Sequence, residues 1–178
     1  MDIRRIEPNE IDAVLEVFAN NFFGDRYYKG WYKDKKEMMD DFREVMEWTL
    51  ENGWNMGAYE EGSLVGMALT FPLGKLDDHM FGEFFGTEGE LHDLMKRHLD
   101  STYIFAVCVN EENRCKGIAT ELFGSILEEG TSYISDTTSE IGQHMFGKRG
   151  FSLERMNTTD DFWHKAYRPA LTGKETVA

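Results

Sequence analysis

Seven consecutive apolar residues, Tyr103 to Val109, run into a polar loop, Asn110 to Lys116, and then into Gly117-Ile118-Ala119-Thr120. The run does not alternate, and it is far too short to span a bilayer. It therefore predicts a central strand covered on both faces. The small residues that follow open a helix over 117–129, with Ile118, Leu122 and Ile126 turned inward. A helix start offers N–H groups that lack an intrahelical acceptor, at the positive end of the helix dipole. Gly117 and Ala119 let an anion approach that backbone, and Arg114 and Lys116 add positive charge. A diphosphate fits this description. Tight packing of the helix on a sheet would also account for Gly117 and Ala119, and on these two residues alone both readings stay open. Neither the G-x-x-x-x-G-K-[ST] phosphate loop nor a G-x-G-x-x-G after a strand occurs.

Around this segment the periodicity predicts a mixed α/β domain. A first strand over 2–6 stops at Pro8. Helix 10–23 follows, capped by Asn9 with Asp12 three residues on, and carries Ile11, Val14, Leu15, Phe18 and Phe22 on one face. An aromatic loop (24–33) leads to helix 34–51, whose apolar face holds Met38, Phe42, Val45 and Met46. Residues 54–71 read as a β-hairpin turning at Glu61-Gly62. The connection 73–100 is long enough to be functional and holds one helix near 88–99. After helix 117–129 come a short strand at Tyr133–Ser135, a helix from Ser139 to Arg149 ended by Gly150, and a closing hairpin of Phe151–Met156 with Phe162–Tyr167. The order is β-α-α-β-β-(helical insert)-β-α-β-α-β-β. A single domain over residues 1–168 and a frayed tail at 169–178 are expected.

Composition removes several function classes. Lys and Arg total 19 against 33 Asp and Glu, a net charge of −14, which argues against nucleic acid or an anionic membrane as partner. The N-terminus has no apolar signal region, and Cys108 and Cys115 make neither a disulfide framework nor a zinc quartet. A reduced, cytoplasmic protein without a metal is expected.

The string Val109-x-x-x-x-Arg114-x-x-Gly117-Ile118-Ala119 resembles the acetyl-CoA signature of the GCN5-related N-acetyltransferase (GNAT) superfamily, R/Q-x-x-G-x-G/A after a strand ending in Val. About thirty residues on, that family usually shows N-x-x-A-x-x-x-Y-x-K-x-G-F. This chain has Ser139, Gly142, Phe146, Lys148, Gly150 and Phe151 at those places. The resemblance implies a mostly antiparallel central sheet flanked by helices and acetyl-CoA as co-substrate. It implies that Val107, Cys108 and Val109 present backbone groups to the pantetheine arm. The N–H groups of Arg114, Cys115, Lys116, Gly117, Ile118, Ala119 and Thr120 would hold the pyrophosphate. Ser139, Phe146 and Lys148 would lie along the same cofactor. Relatives are often dimers, which makes a homodimer an expectation by analogy.

Two departures bear on the chemistry. Phe146 stands where the family commonly carries a tyrosine that protonates the leaving thiolate, and a phenyl ring has no proton to give. Ser139 replaces an asparagine, and its hydroxyl can cap the helix or bond the pantetheine arm. A coenzyme A thiolate, close to the cysteine value of about 8.5, leaves tolerably without an acid. An amine with a pKa of about 10.4 costs about 4–5 kcal/mol to deprotonate at pH 7, so a general base is expected. The strand Tyr103–Val109 offers no carboxylate, which leaves Asp77, Asp78, His79, Glu83, Asp100 and His144 as candidates, each also explicable as a solvated surface group. Cys108, inside a buried strand, reads as a small apolar filler.

The acceptor face is expected from helix 34–51, loop 24–33 and insert 73–100. Residues 34–61 hold nine acids against three bases, which would favour a cationic amine, while Tyr27, Tyr28, Trp31, Phe81, Phe84 and Phe85 would suit an aromatic one. The leading expectation is acetyl transfer to a primary amine of a small molecule or peptide by direct attack. Phe146 and the strand without a carboxylate keep a non-catalytic acyl-CoA-binding or sensing domain as the alternative. A partner-binding domain without cofactor is the third.

Overall fold

The computed structural model describes residues 1–156 and 163–170. Along the chain run β1 (Asp2–Arg5), α1 (Ile11–Phe22), α2 (Lys35–Asn52), β2 (Met56–Glu60), β3 (Ser63–Pro72), α3 (Asp78–Phe85), α4 (Glu90–Lys96) and β4 (Thr102–Val109). They are followed by α5 (Ile118–Ile126), β5 (Tyr133–Thr137), α6 (Glu140–Gly147), β6 (Ser152–Arg155) and β7 (His164–Arg168). Seven strands form one sheet in the order β1-β2-β3-β4-β5-β7-β6. β4 and β5 run parallel, whereas β1–β2, β2–β3, β5–β7 and β6–β7 are antiparallel. The mixed, mostly antiparallel sheet flanked by helices is the expected fold class. Backbone contacts divide the chain into two compact units, residues 1–71 with 105–127, and residues 72–104 with the chain from 128 onward.

The first unit is built on α1 and α2. Val14, Leu15 and Phe18 of α1 and Met38 and Met46 of α2 are buried with Met67, Leu69 and Cys108. Each fully buried side chain of this kind contributes about 1.5–3 kcal/mol. The entry to α1 differs from expectation. Pro8–Glu10 is a 3-10 turn, and the capping carboxylate belongs to Glu10 rather than Asn9, accepting from the Glu7 N–H at 2.9 Å. Arg4 bonds Glu10 with both terminal guanidinium nitrogens (3.1 and 3.0 Å), and the Tyr59 hydroxyl donates to it at 3.0 Å. Asp12 instead pairs with Arg43 of α2 at 2.9 Å. The cation on β1 decides which acid closes the turn. Asp34 caps α2, accepting from the Glu37 N–H at 2.8 Å, and the β2–β3 hairpin turns at Glu61 and Gly62, both at positive φ.

The second unit holds the insert, the start of β4, and β5 through β7. The insert contains two helices where one was expected. Asp77 caps α3 by accepting from the Met80 N–H at 2.8 Å, and Phe81 and Phe85 bury one face. Gly82 and the dense aromatics weaken the local helical signal, so only the cap and the i, i+4 pair mark this helix. Gly86 and Gly89, both at positive φ, separate it from α4, which ends at Lys96 rather than residue 99. In the first unit α5 likewise ends at Ile126, short of residue 129. Glu128 and Glu129 would place negative charge at the negative end of the helix dipole. The closing hairpin forms, with Glu154 opposite Lys165. Phe162, the expected first residue of its second strand, lies outside the described residues, as does the tail from 171.

Candidate active site

In the first unit β4 delivers the chain into the polar loop. Cys108 and Val109 are buried and Val107 half-buried. The Asn110 N–H donates to the Val65 carbonyl (2.8 Å), and Glu111–Asn113 makes a 3-10 turn. The backbone then passes twice through the left-handed region, at Cys115 (φ 63°) and at Gly117 (φ 79°, ψ 1°). A non-glycine residue there is uncommon, and such strain costs on the order of 1–3 kcal/mol. Gly117 is the N-cap of α5, and the Glu121 N–H donates to its carbonyl at 3.1 Å. The preceding amides of Ile118 and Ala119 thus belong to the turn that an α-helix leaves without backbone acceptors.

A Cβ built on Gly117 meets nothing within 4 Å. This removes tight packing as the reason for that glycine. It is required by backbone conformation rather than by close packing, and the space its Cβ would take is open. Arg114 braces the loop, donating from Nε to the Val109 carbonyl (3.0 Å) and from Nη2 to Asn21 Oδ1 of α1 (3.0 Å). Lys116 stands 3.9 Å from Glu60, which also accepts from Asn113 Nδ2 at 2.6 Å. Burial pushes the Cys108 thiol up to about 12, so it is held neutral and is no nucleophile.

The second signature block lies in the second unit. Ser139 caps α6, accepting from the Gly142 N–H at 2.9 Å. A Cβ at Gly142 would fall 2.1 Å from Thr137 Oγ1, so this glycine serves close approach of the helix start to β5. Phe146 is 6% exposed and packs against Phe151, with ring centroids 4.9 Å apart. Lys148 is exposed at the C-cap of α6, and Gly150 ends that helix at φ 81°.

Of the candidate bases, Asp77 is a helix cap, and Asp78, His79, Glu83, Asp100 and His144 are exposed. Asp136 is not among the residues expected from the sequence. It lies on β5, half-buried, and accepts from the Tyr103 hydroxyl of β4 (2.6 Å) and from Trp163 Nε1 (2.9 Å). Burial holds its carboxyl above the usual carboxylate range, against the pull of both hydrogen bonds. The strand expected from the sequence stops at Ser135, just short of it, whereas β5 runs on to Thr137. The β4–β5 ladder pairs Thr102 with Tyr133 and Tyr103 with Ile134, and the Ser135 hydroxyl then donates to the Ile104 carbonyl at 2.7 Å.

The expected acceptor segments are divided between the units, loop 24–33 and α2 in the first and the insert in the second. Tyr27, Tyr28 and Trp31 pack on one another at 4.8–5.8 Å, leaving Trp31 59% exposed, whereas Phe81 and Phe85 are buried. Among the described residues no three His, Cys, Asp or Glu side chains group to hold a metal ion, and no helix is long and apolar enough to cross a membrane.

The model of the GNAT acetyltransferase family matches residues 14–151. No curated protein matches. Among solved structures, the chain is similar to a histone acetyltransferase HPA2 and related acetyltransferase from Corynebacterium glutamicum (TM-score 0.67, 17% identity, 96% of both chains covered). It is also similar to the ribosomal-protein-S18-alanine N-acetyltransferase from Escherichia coli (TM-score 0.57, 13% identity, covering 98% of this chain and 97% of that one). A third is the PaiA N-acetyltransferase from Thermoplasma acidophilum in complex with coenzyme A (TM-score 0.53, 14% identity, covering 92% and 96%). At these identities the likeness is one of fold.

Proposed function

The chain belongs to the GNAT acetyltransferase family, whose fold carries acyl-CoA-dependent N-acetyl transfer, and from that premise we propose that it acetylates a primary amine of a small molecule or peptide by direct attack. The observation that carries this reading is the open, left-handed start of α5, with no atom within 4 Å of the position a Gly117 side chain would take. Residues and group fit. The diphosphate would be held by N–H groups from Arg114 to Thr120, and the pantetheine arm by the backbone of Val107, Cys108 and Val109. Ser139, Phe146 and Lys148 complete the proposed cofactor residues. When bound, acetyl-CoA supplies the activated acyl carbonyl.

The chain's own residues set what else the reaction needs. Phe146 is buried against Phe151 and gives no proton, so the thiolate leaves on its own acidity. Cys108 is held as a neutral thiol, which favours direct attack over an acyl-cysteine route.

Calorimetry with coenzyme A, followed by acetyl-CoA consumption across a polyamine, an arylalkylamine and a lysyl peptide, tests the reading. Binding together with turnover of at least one amine is expected. Binding without turnover of any amine would favour the acyl-CoA sensor, and absence of binding would remove the cofactor site.

A further inference from the structure

Of the two cations in the loop before α5, Arg114 is committed to the Val109 carbonyl and to Asn21, which leaves Lys116 as the cation available to an anion. The Lys116 ammonium stands 3.9 Å from Oε1 of Glu60, and both side chains are half-exposed. Glu60 is the last residue of β2, opposite Ser63 across the hairpin turn, so the ladder fixes its backbone. Its other oxygen, Oε2, accepts from Asn113 Nδ2 at 2.6 Å. Asn113 is 3% exposed, and its Oδ1 has no hydrogen-bond partner among the described residues. The bond to Glu60 is therefore what satisfies this buried amide. Leaving a buried polar group wholly unpaired is costly. The carboxylate is thus held against the loop, where an ordinary exposed glutamate would swing free.

We infer that Glu60 sets the affinity of the loop for its anion, as a tethered negative charge that offsets Lys116 and holds coenzyme A more weakly than the amides and the lysine alone would. The inference rests on the coenzyme site proposed above and names the side chain that tunes it. A diphosphate docking on the amides from Arg114 to Thr120 has to share Lys116 with a carboxylate that cannot withdraw. Withdrawal would strip the Asn113 amide of its bond. Because the pair is half-exposed, the repulsion is modest in size and sensitive to salt. A glutamate that served only to support the loop would act with the opposite sign, and its loss would weaken binding.

The test is Glu60→Gln, titrated with coenzyme A by calorimetry at about 20 mM and about 0.5 M salt, between which the screening length falls from about 20 Å to about 4 Å. Glutamine keeps the length of the side chain and an oxygen for Asn113 while removing the charge. The Kd should fall about 3–10-fold at the lower salt and less than about twofold at the higher. Lys116→Gln should weaken binding by a similar factor. The double variant should return to within about twofold of wild type, since the two charges offset one another. If Glu60→Gln does not unfold cooperatively in urea, Glu60→Met with Asn113→Leu removes the charge and the buried amide together, and should show the same gain. Unchanged or weaker binding in the charge-removing variant at low salt, a gain that persists at high salt, or a double variant that keeps the full gain overturns the role of Glu60 and leaves the coenzyme site standing. A wild-type protein that does not bind coenzyme A removes the site itself, and the role of Glu60 with it.

Discussion

The loop before α5 and the cluster around Asp136 are polar sites built from different materials. The loop, the proposed diphosphate site, is shaped by main chain. Cys115 and Gly117 turn the backbone through the left-handed region, and the space that a Gly117 Cβ would take is open. The Asp136 cluster is made by side chains, from β4, β5 and the residue that precedes β7. A main-chain site binds by shape and dipole and tolerates varied side chains, provided that glycine stands where φ demands it. A side-chain site loses its function when one atom changes, yet its members can be dispersed along the chain.

This contrast can be broken most severely at Gly117. Replacing it with Glu puts a charged side chain into the open space and a Cβ on a left-handed residue. Coenzyme A affinity should fall about 100-fold or more, roughly 2.8 kcal/mol at 1.4 per tenfold, while cooperative unfolding persists. Unchanged affinity in calorimetry would place the diphosphate elsewhere. Gly142→Ala should act on the fold instead, because its Cβ would overlap Thr137 Oγ1. A loss of about 1–3 kcal/mol is expected from overpacking, read by urea denaturation. Ser139→Ala removes the α6 cap and should cost about 1 kcal/mol. If it weakened coenzyme A binding more than it weakened the fold, the hydroxyl would have a second role.

The gentlest probe follows the pH dependence of stability. The folded-state value of Asp136 is raised above its ordinary 3.8, so the folded protein binds the extra proton. Stability from this group is therefore present below 3.8 and lost as pH rises through the higher folded value. Asp136→Asn should accordingly fare better relative to wild type at pH 7 than at pH 3.5. An equal penalty at both pH values would mean that Asp136 carries no burial cost. Phe146→Tyr should alter turnover by less than threefold, and a large fall would mark that position as packing alone.

The same contrast explains what the sequence discloses. α1, α2, the β2–β3 hairpin and β4 are legible because each buries a periodic or continuous apolar face, such as Val14, Leu15 and Phe18. The start of α5 is legible because its glycine sits at a fixed distance from a strand end. Asn9 misleads as a cap because the acid that closes the turn is chosen by Arg4 and Tyr59, the latter 49 residues from it. α3 is hidden by Gly82 and by aromatics too dense to show a period. Asp136 is invisible because its partners lie 33 and 27 residues away, and nothing local marks their convergence.

Arg114 has one more consequence. By tying the Val109 carbonyl to Asn21, it fixes the turn before any ligand arrives. The entropy of shaping that segment is settled during folding, so the coenzyme proposed to dock there would not bear it. On the proposed reading the loop is a rigid mould, whose selectivity would be written in the spacing of amides rather than in any adjustment to the guest.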